Sequence, residues 1–278
     1  MRVIDLMHLG RPRVIGAWVL DDVIVDCGPS STLPVLLEGL GDERPAALLL
    51  THIHFDHAGA AGSLVQRWPD LRVYVHERGA RHLADPGRLY ESARRLYGDD
   101  MERLWGEMVP VPEANVEVLR GGETIRDGAF EVRYTPGHAS HHVCFYRDGV
   151  AFVGDVAGVR VTPGSITIPP TPPPDIDVEA WHESVAIVRA WNPRRLAMTH
   201  FGDAEDVSAQ LDALERRLDA WAALAHDGDR ERFIATVQEE IQRNGSPEQA
   251  AAYQQAAPVE QLYAGYERYW AKREAAAA

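Results

Sequence analysis

Thr51-His52-Ile53-His54-Phe55-Asp56-His57 follows directly on the apolar run Ala46 to Leu50. Four groups able to ligate a metal thus stand within six residues, at the end of a segment that reads as a buried strand. A lone histidine is most often structural. This many imidazole and carboxylate groups packed together would desolvate and repel one another unless a cation sat among them. In an extended chain His52 and His54 point to the same face, and a tight turn through Phe55 and Asp56 folds Asp56 and His57 toward a second point. One short motif can therefore begin two metal sites.

The same setting, a potential ligand at the C-terminal end of an apolar run, recurs three times. Tyr134-Thr135-Pro136-Gly137-His138 offers His138, Phe152-Val153-Gly154-Asp155 offers Asp155, and Ala197-Met198-Thr199-His200 offers His200. With the first cluster these make seven ligands, which suit two ions, Asp155 being the carboxylate able to bridge them. Two cations sharing one water lower its pKa to about 7 and so supply a bridging hydroxide at neutral pH. Asp56 is the candidate catalytic group, able to orient that hydroxide and take up its remaining proton. No serine or cysteine nucleophile is required, and none is evident in the motifs.

This set resembles the metallo-β-lactamase superfamily, whose pattern HxHxDH followed by a distant His, Asp and His is matched by His52, His54, Asp56, His57, His138, Asp155 and His200. The resemblance implies an α+β fold, a four-layer αββα sandwich with a helical extension at its C-terminal end. It also implies one metal site of His52, His54 and His138 and a second of Asp56, His57 and His200, with Asp155 shared. Asp26, in Ile24-Val25-Asp26-Cys27-Gly28, looks like the family's strand-end aspartate that supports a ligand from behind. His142 matches a histidine of glyoxalase-type members and is expected to be structural. Two divalent ions are implied, zinc first and iron or manganese as alternatives.

Outward from the motifs, short aliphatic runs alternate with Gly, Pro and Asp up to about residue 200. Strands are expected at Val14 to Leu20, Val23 to Cys27, Ala46 to Leu50, Leu71 to Val75, Phe130 to Tyr134, Val143 to Tyr146, Val150 to Gly154 and Arg195 to Thr199. We expect a catalytic domain over 1–202, with a helical insertion at about 85–108 and a proline-rich segment at 163–174, then a helical region over 203–278. In that tail Leu211, Leu214, Leu218, Trp221 and Ala225 form one stripe, and Phe233, Val237 and Ile241 another. Ser246, Pro247 and Gln249 announce the start of a third helix, and Val259, Leu262, Tyr266 and Tyr269 line a fourth.

Composition narrows the function classes. The chain has 278 residues, a hydrophobic fraction of 45% and a formal net charge of -14. Ordinary globular usage argues for a folded protein, and the negative balance argues against nucleic acid and anionic membranes as partners. No apolar run has spanning length and the first residues lack a signal-peptide pattern, so a cytoplasmic location is expected. Cys27 and Cys144 each sit in an apolar run and are expected to be packed thiols. The expected activity is cleavage of a small ester, thioester or lactone, with a homodimer allowed for. A phosphoester hydrolase, or a mononuclear-iron persulfide dioxygenase on the same fold, is the alternative. The tail shows no Arg/Lys cluster resembling the glutathione site of glyoxalase II. The tyrosine expected of quorum-quenching lactonases after the bridging aspartate is also not visible, and no substrate contact can be named from sequence.

Overall fold

The computed structural model describes residues 1–277. The chain divides into two compact units: Met1–Tyr134 with His141–Arg147, and Thr135–Ser140 with everything from Asp148 onward.

The first unit is built on a six-stranded sheet, β1 (Arg2–Asp5), β2 (Gly16–Leu20), β3 (Val23–Val25), β4 (Ala47–Leu49), β5 (Arg72–His76) and β6 (Val116–Leu119), in that spatial order. The pairs β1/β2 and β2/β3 are antiparallel, whereas β3/β4, β4/β5 and β5/β6 are parallel. Parallel neighbours need crossovers, and helices supply them: α1 (Leu33–Leu40), then α2 (Phe55–Ala58) and α3 (Ala61–Arg67), then α4 (Glu77–Ala84), α5 (Gly87–Tyr97) and α6 (Met101–Trp105). Every residue of β3 and β4 is buried, as expected of strands in a parallel sheet covered on both faces. Three antiparallel strands complete the unit: β7 (Thr124–Ile125), β8 (Phe130–Tyr134) and β9 (Val143–Arg147). In β8, Phe130 and Val132 are buried while Glu131 and Arg133 are half-buried, the alternation of a strand with one wet face.

The helical insertion takes the form of α5 and α6, and it packs on the histidine motif itself. Phe55 lies 6.3 Å from Tyr90 and 6.4 Å from Trp105 between ring centroids, and Tyr97 meets Trp105 edge-on at 5.2 Å.

In the second unit β10 (Val150–Gly154) pairs in parallel with β11 (Arg195–Met198), which pairs antiparallel with β12 (Gly202–Ala204). The crossover is α7 (Val178–Ala190), started by the Asp177 carboxylate accepting from Ala180 N at 2.9 Å. The tail forms α8 (Val207–His226), α9 (Arg230–Arg243), α10 (Pro247–Ala256) and α11 (Val259–Ala277). Each of the first three begins at a side-chain cap, Asp206, Asp229 and Ser246, and Ser246 with Gln249 makes the reciprocal capping box read from the sequence. The two apolar stripes of α8 and α9 are buried, and Tyr253 and Tyr266 are fully enclosed. Among the described residues no helix is long and apolar enough to cross a membrane.

The expected strands all form: Phe130–Tyr134 and Val150–Gly154 with the expected bounds, Arg72–His76 shifted by one residue, Val143–Arg147 longer by one, and the other four shorter at one or both ends. Not anticipated were β1, β6, β7 and β12, which have two to four residues each and carry charged, polar or glycine residues. Such segments are held by their neighbours' hydrogen bonds more than by an apolar run of their own.

Candidate metal centre

In the first unit, β3 delivers Asp26 and β4 delivers Thr51 and His52 to the same edge. Asp26 adopts a positive φ of 54° just past β3, which an aspartate tolerates, and the turn leaves its carboxylate fully buried. Its Oδ1 accepts from Thr51 N at 2.8 Å, and its Oδ2 accepts the Thr51 hydroxyl at 2.8 Å and His57 Nδ1–H at 2.7 Å. Because the Thr51 proton is used on Asp26, Thr51 Oγ1 can only accept from His52 Nδ1, 3.1 Å away. Both imidazoles therefore donate from Nδ1 and turn Nε2 toward the other groups of the cluster. His52 Nε2 lies 3.0 Å from His54 Nδ1, and His57 Nε2 lies 3.9 Å from Asp56 Oδ2.

Asp56 and His57 reach these positions because the chain turns into α2 immediately after His54, with backbone bonds from His57 N and Ala58 N to the His54 carbonyl at 3.0 and 2.9 Å. Asp56 keeps 19% side-chain exposure while His57 has none. The five sequence-designated groups of this unit, Asp26, His52, His54, Asp56 and His57, are thus assembled together.

In the second unit His138, Asp155 and His200 are assembled together. Gly137 precedes His138 with a φ of 129°, and a Cβ there would lie 2.4 to 2.5 Å from Trp181 on α7, so only glycine permits this approach. The loop is held by Asp177 N donating to the Gly137 carbonyl at 2.9 Å and by Ser184 Oγ donating to the Pro136 carbonyl at 2.5 Å. His138 donates from Nδ1 to the Pro170 carbonyl at 2.8 Å, which turns its Nε2 toward Asp155 Oδ2, 3.2 Å away. Asp155 Oδ1 lies 3.5 Å from His200 Nε2. All three side chains are at most 4% exposed. Two imidazole nitrogens thus converge on one buried carboxylate, a place that favours a positive charge.

These Nδ1 donations are a fit test for a metal. An imidazole that ligates a cation through one nitrogen donates its other N–H to a carboxylate, hydroxyl or backbone carbonyl. His52, His57 and His138 do so in these three different ways.

Sequence reasoning named Asp26 but not the Thr51 hydroxyl, which passes the Asp26 constraint to His52, nor the Pro170 carbonyl. Thr51 could have been suspected from its place beside the motif, whereas a backbone carbonyl leaves no sequence signal. His142, buried, stacks on His52 at 5.1 Å, and His141 Nδ1 accepts from Ile53 N at 3.4 Å, so both brace the motif. His76 stacks on Tyr134 at 4.5 Å, and burial holds its pKa below the usual histidine value. Arg160 donates through Nη2 to the Asp203 carbonyl at 2.5 Å. Cys27 is fully buried; burial, and then the charge of Asp26, push its thiol pKa far above the usual value, so no thiolate chemistry arises there.

Comparisons with known proteins agree with this geometry. The family model described as the metallo-beta-lactamase superfamily matches residues 17–226. The metallo-beta-lactamase fold-containing protein ST1585 of Sulfurisphaera tokodaii is 31% identical over 160 residues, 56% of this chain and 60% of that protein. A hydroxyacylglutathione hydrolase of Xanthomonas euvesicatoria pv. vesicatoria is 34% identical over 139 residues, 48% of this chain and 40% of that enzyme. The chain thus spans about half the length of these curated relatives. Among solved structures, the archaeal superfamily protein ST1585 from Sulfolobus tokodaii superimposes with a TM-score of 0.66 at 27% identity, covering 76% of this chain and 84% of that one. TTHA1623 in a di-iron-bound form superimposes with a TM-score of 0.52 at 29% identity, covering 72% and 93%.

Proposed function

This chain belongs to the metallo-β-lactamase superfamily, and on that premise we propose that it is a metal-dependent hydrolase of small esters, thioesters or lactones. The observation that carries the proposal is the convergence of His138 Nε2 and His200 Nε2 on the buried Asp155 carboxylate, at 3.2 and 3.5 Å. These are groups that would serve as ligands to a divalent cation. The proposed ligand sets are His52, His54 and His138 for one ion and Asp56, His57 and His200 for the other, with Asp155 common to both. Divalent cations held there supply a water of lowered pKa, about 7, and polarise the bond to be cut.

The chain's own groups do the rest. Asp26 and the Pro170 carbonyl hold protons on the Nδ1 atoms of His57 and His138, which keeps both Nε2 atoms available. Asp56, the one carboxylate of the set with appreciable exposure, accepts the proton of the attacking water at its carboxylate oxygen. Phe55, packed under Tyr90 and Trp105, supplies an apolar surface beside that carboxylate.

Relatives named hydroxyacylglutathione hydrolase favour a thioester or ester. Glutathione itself is disfavoured, since Arg217, Arg232, Arg243 and Arg273 of the tail each face a carboxylate of this chain. The test combines metal analysis of the purified protein with a screen of thioesters, esters, lactones and phosphoesters, and an oxygen electrode with a persulfide. We expect about two divalent ions per chain and turnover of an acyl substrate that is lost in Asp56→Ala and His200→Ala. Full activity in both variants, or oxygen consumption with persulfide, refutes the reading.

A further inference from the structure

The proline-rich segment forms no ladder of its own beyond a single bridge, Val159 to Ile168. Its backbone is held instead by the helical tail. The Tyr253 hydroxyl on α10 donates to the Ile166 carbonyl, and Gln249 Nε2 donates to Thr162 Oγ1 at 2.7 Å. Along α11, the Leu262 carbonyl accepts the buried Thr171 hydroxyl at 3.1 Å, and Lys272 Nζ donates to the Pro174 carbonyl at 2.7 Å. Gly265 lies against the Thr171 carbonyl so closely that a Cβ would stand 1.9 Å from its oxygen. One residue before Thr171 is Pro170, whose carbonyl receives His138 Nδ1–H at 2.8 Å. The Pro170 carbonyl shares a planar peptide unit with the nitrogen and Cα of Thr171, so displacement of Thr171 carries that carbonyl with it.

We infer that Thr171 and Gly265 are positioning residues for the metal centre, through which the C-terminal helix α11 sets the tautomer and orientation of His138. The inference rests on the metal reading above. It adds that the tail, beyond packing, acts on a ligand through a backbone carbonyl. Losing an outer partner of a metal-bound histidine typically weakens metal affinity about 10–100-fold.

The test uses the full chain with Thr171→Ala, Thr171→Ser and Gly265→Ala. Three readouts are made: zinc affinity by competition with a chromophoric chelator, the side-chain nitrogen NMR signals of His138 in the zinc-free protein, and the zinc-free melting temperature. Thr171→Ala and Gly265→Ala should each weaken zinc at one of two sites about 10–100-fold and diminish the Nδ1–H form of His138. Thr171→Ser, which keeps the hydroxyl, should restore both. If Thr171→Ala and Gly265→Ala lower only the melting temperature, with zinc affinity and the Nδ1–H signal unchanged, α11 is merely an anchor and the inference fails alone. A wild-type chain that takes up no divalent ion overturns the metal reading and this inference with it.

Discussion

Replacing Asp26 by asparagine keeps the shape of the site and removes one acceptor, which makes its consequence calculable. The carboxylate receives Thr51 N–H at 2.8 Å, the Thr51 hydroxyl at 2.8 Å from Oδ2, and His57 Nδ1–H at 2.7 Å. An amide has one accepting oxygen, so its NH2 must meet either the Thr51 amide or His57. The Thr51 N–H cannot change its proton, but an imidazole can. The amide oxygen therefore stays with Thr51, and the NH2 turns to His57, which accepts at Nδ1 and carries its proton on Nε2. The loss of a buried charge-assisted pair costs about 1–3 kcal/mol of fold stability. Metal affinity falls by about 10–100-fold, or about 1.4–2.7 kcal/mol, because Nε2 must shed a proton before it can ligate. Asp26→Ala is harsher, since three buried donors, Thr51 N–H, the Thr51 hydroxyl and His57 Nδ1–H, lose their acceptor, at about 1–3 kcal/mol for each left unsatisfied. Thermal melts of the zinc-free protein and chelator-competition titrations measure both quantities. An Asp26→Asn protein that binds zinc within threefold of wild type refutes the argument that Asp26 sets the His57 tautomer.

A second perturbation concerns His182, which bridges α7 to α8 between Glu215 at 3.1 Å and Asp219 at 2.7 Å. Burial lowers its pKa, but the hydrogen bonds to the two carboxylates outweigh it, and the folded value is raised above 6.5. Its stabilisation is thus complete below about pH 6.5 and disappears as pH rises through the folded value. His182→Gln should flatten that part of the pH–stability profile, by under about 1 kcal/mol since the pair is partly exposed; an unchanged profile counts against the bridge. Gly137→Ala should lower the melting temperature and weaken metal binding together, because its Cβ would enter the Trp181 backbone; wild-type values for both would show that the loop has room. A chain ending near residue 203 loses Gln210, which donates to the Ala157 carbonyl at 2.8 Å and accepts from Thr167 at 3.1 Å. It should run as aggregate on gel filtration, and a monodisperse monomer would contradict this. Cys27 and Cys144, both buried, should resist thiol reagents until the protein is denatured.

What the sequence determined by itself was the chemistry of the ligands and the elements that carry them. The buried strand before His52, the apolar runs that lead to His138, Asp155 and His200, and the four tail helices are local features, written in apolar runs, glycine and proline positions and caps. Hydrophobic periodicity and capping act over a few residues, so they can be read from a few residues. The state of the ligands was not legible in this way. That His57 is protonated on Nδ1 depends on Asp26, 31 positions away, and that His138 is depends on a carbonyl 32 positions away. A carbonyl is present at every residue, and only tertiary folding decides which one faces an imidazole. The role of the proline-rich segment was hidden for the same reason. Its composition announces a stiff, extended chain, while its attachment to α11 depends on Gly265 meeting the Thr171 carbonyl, a contact that exists only once the helix has packed.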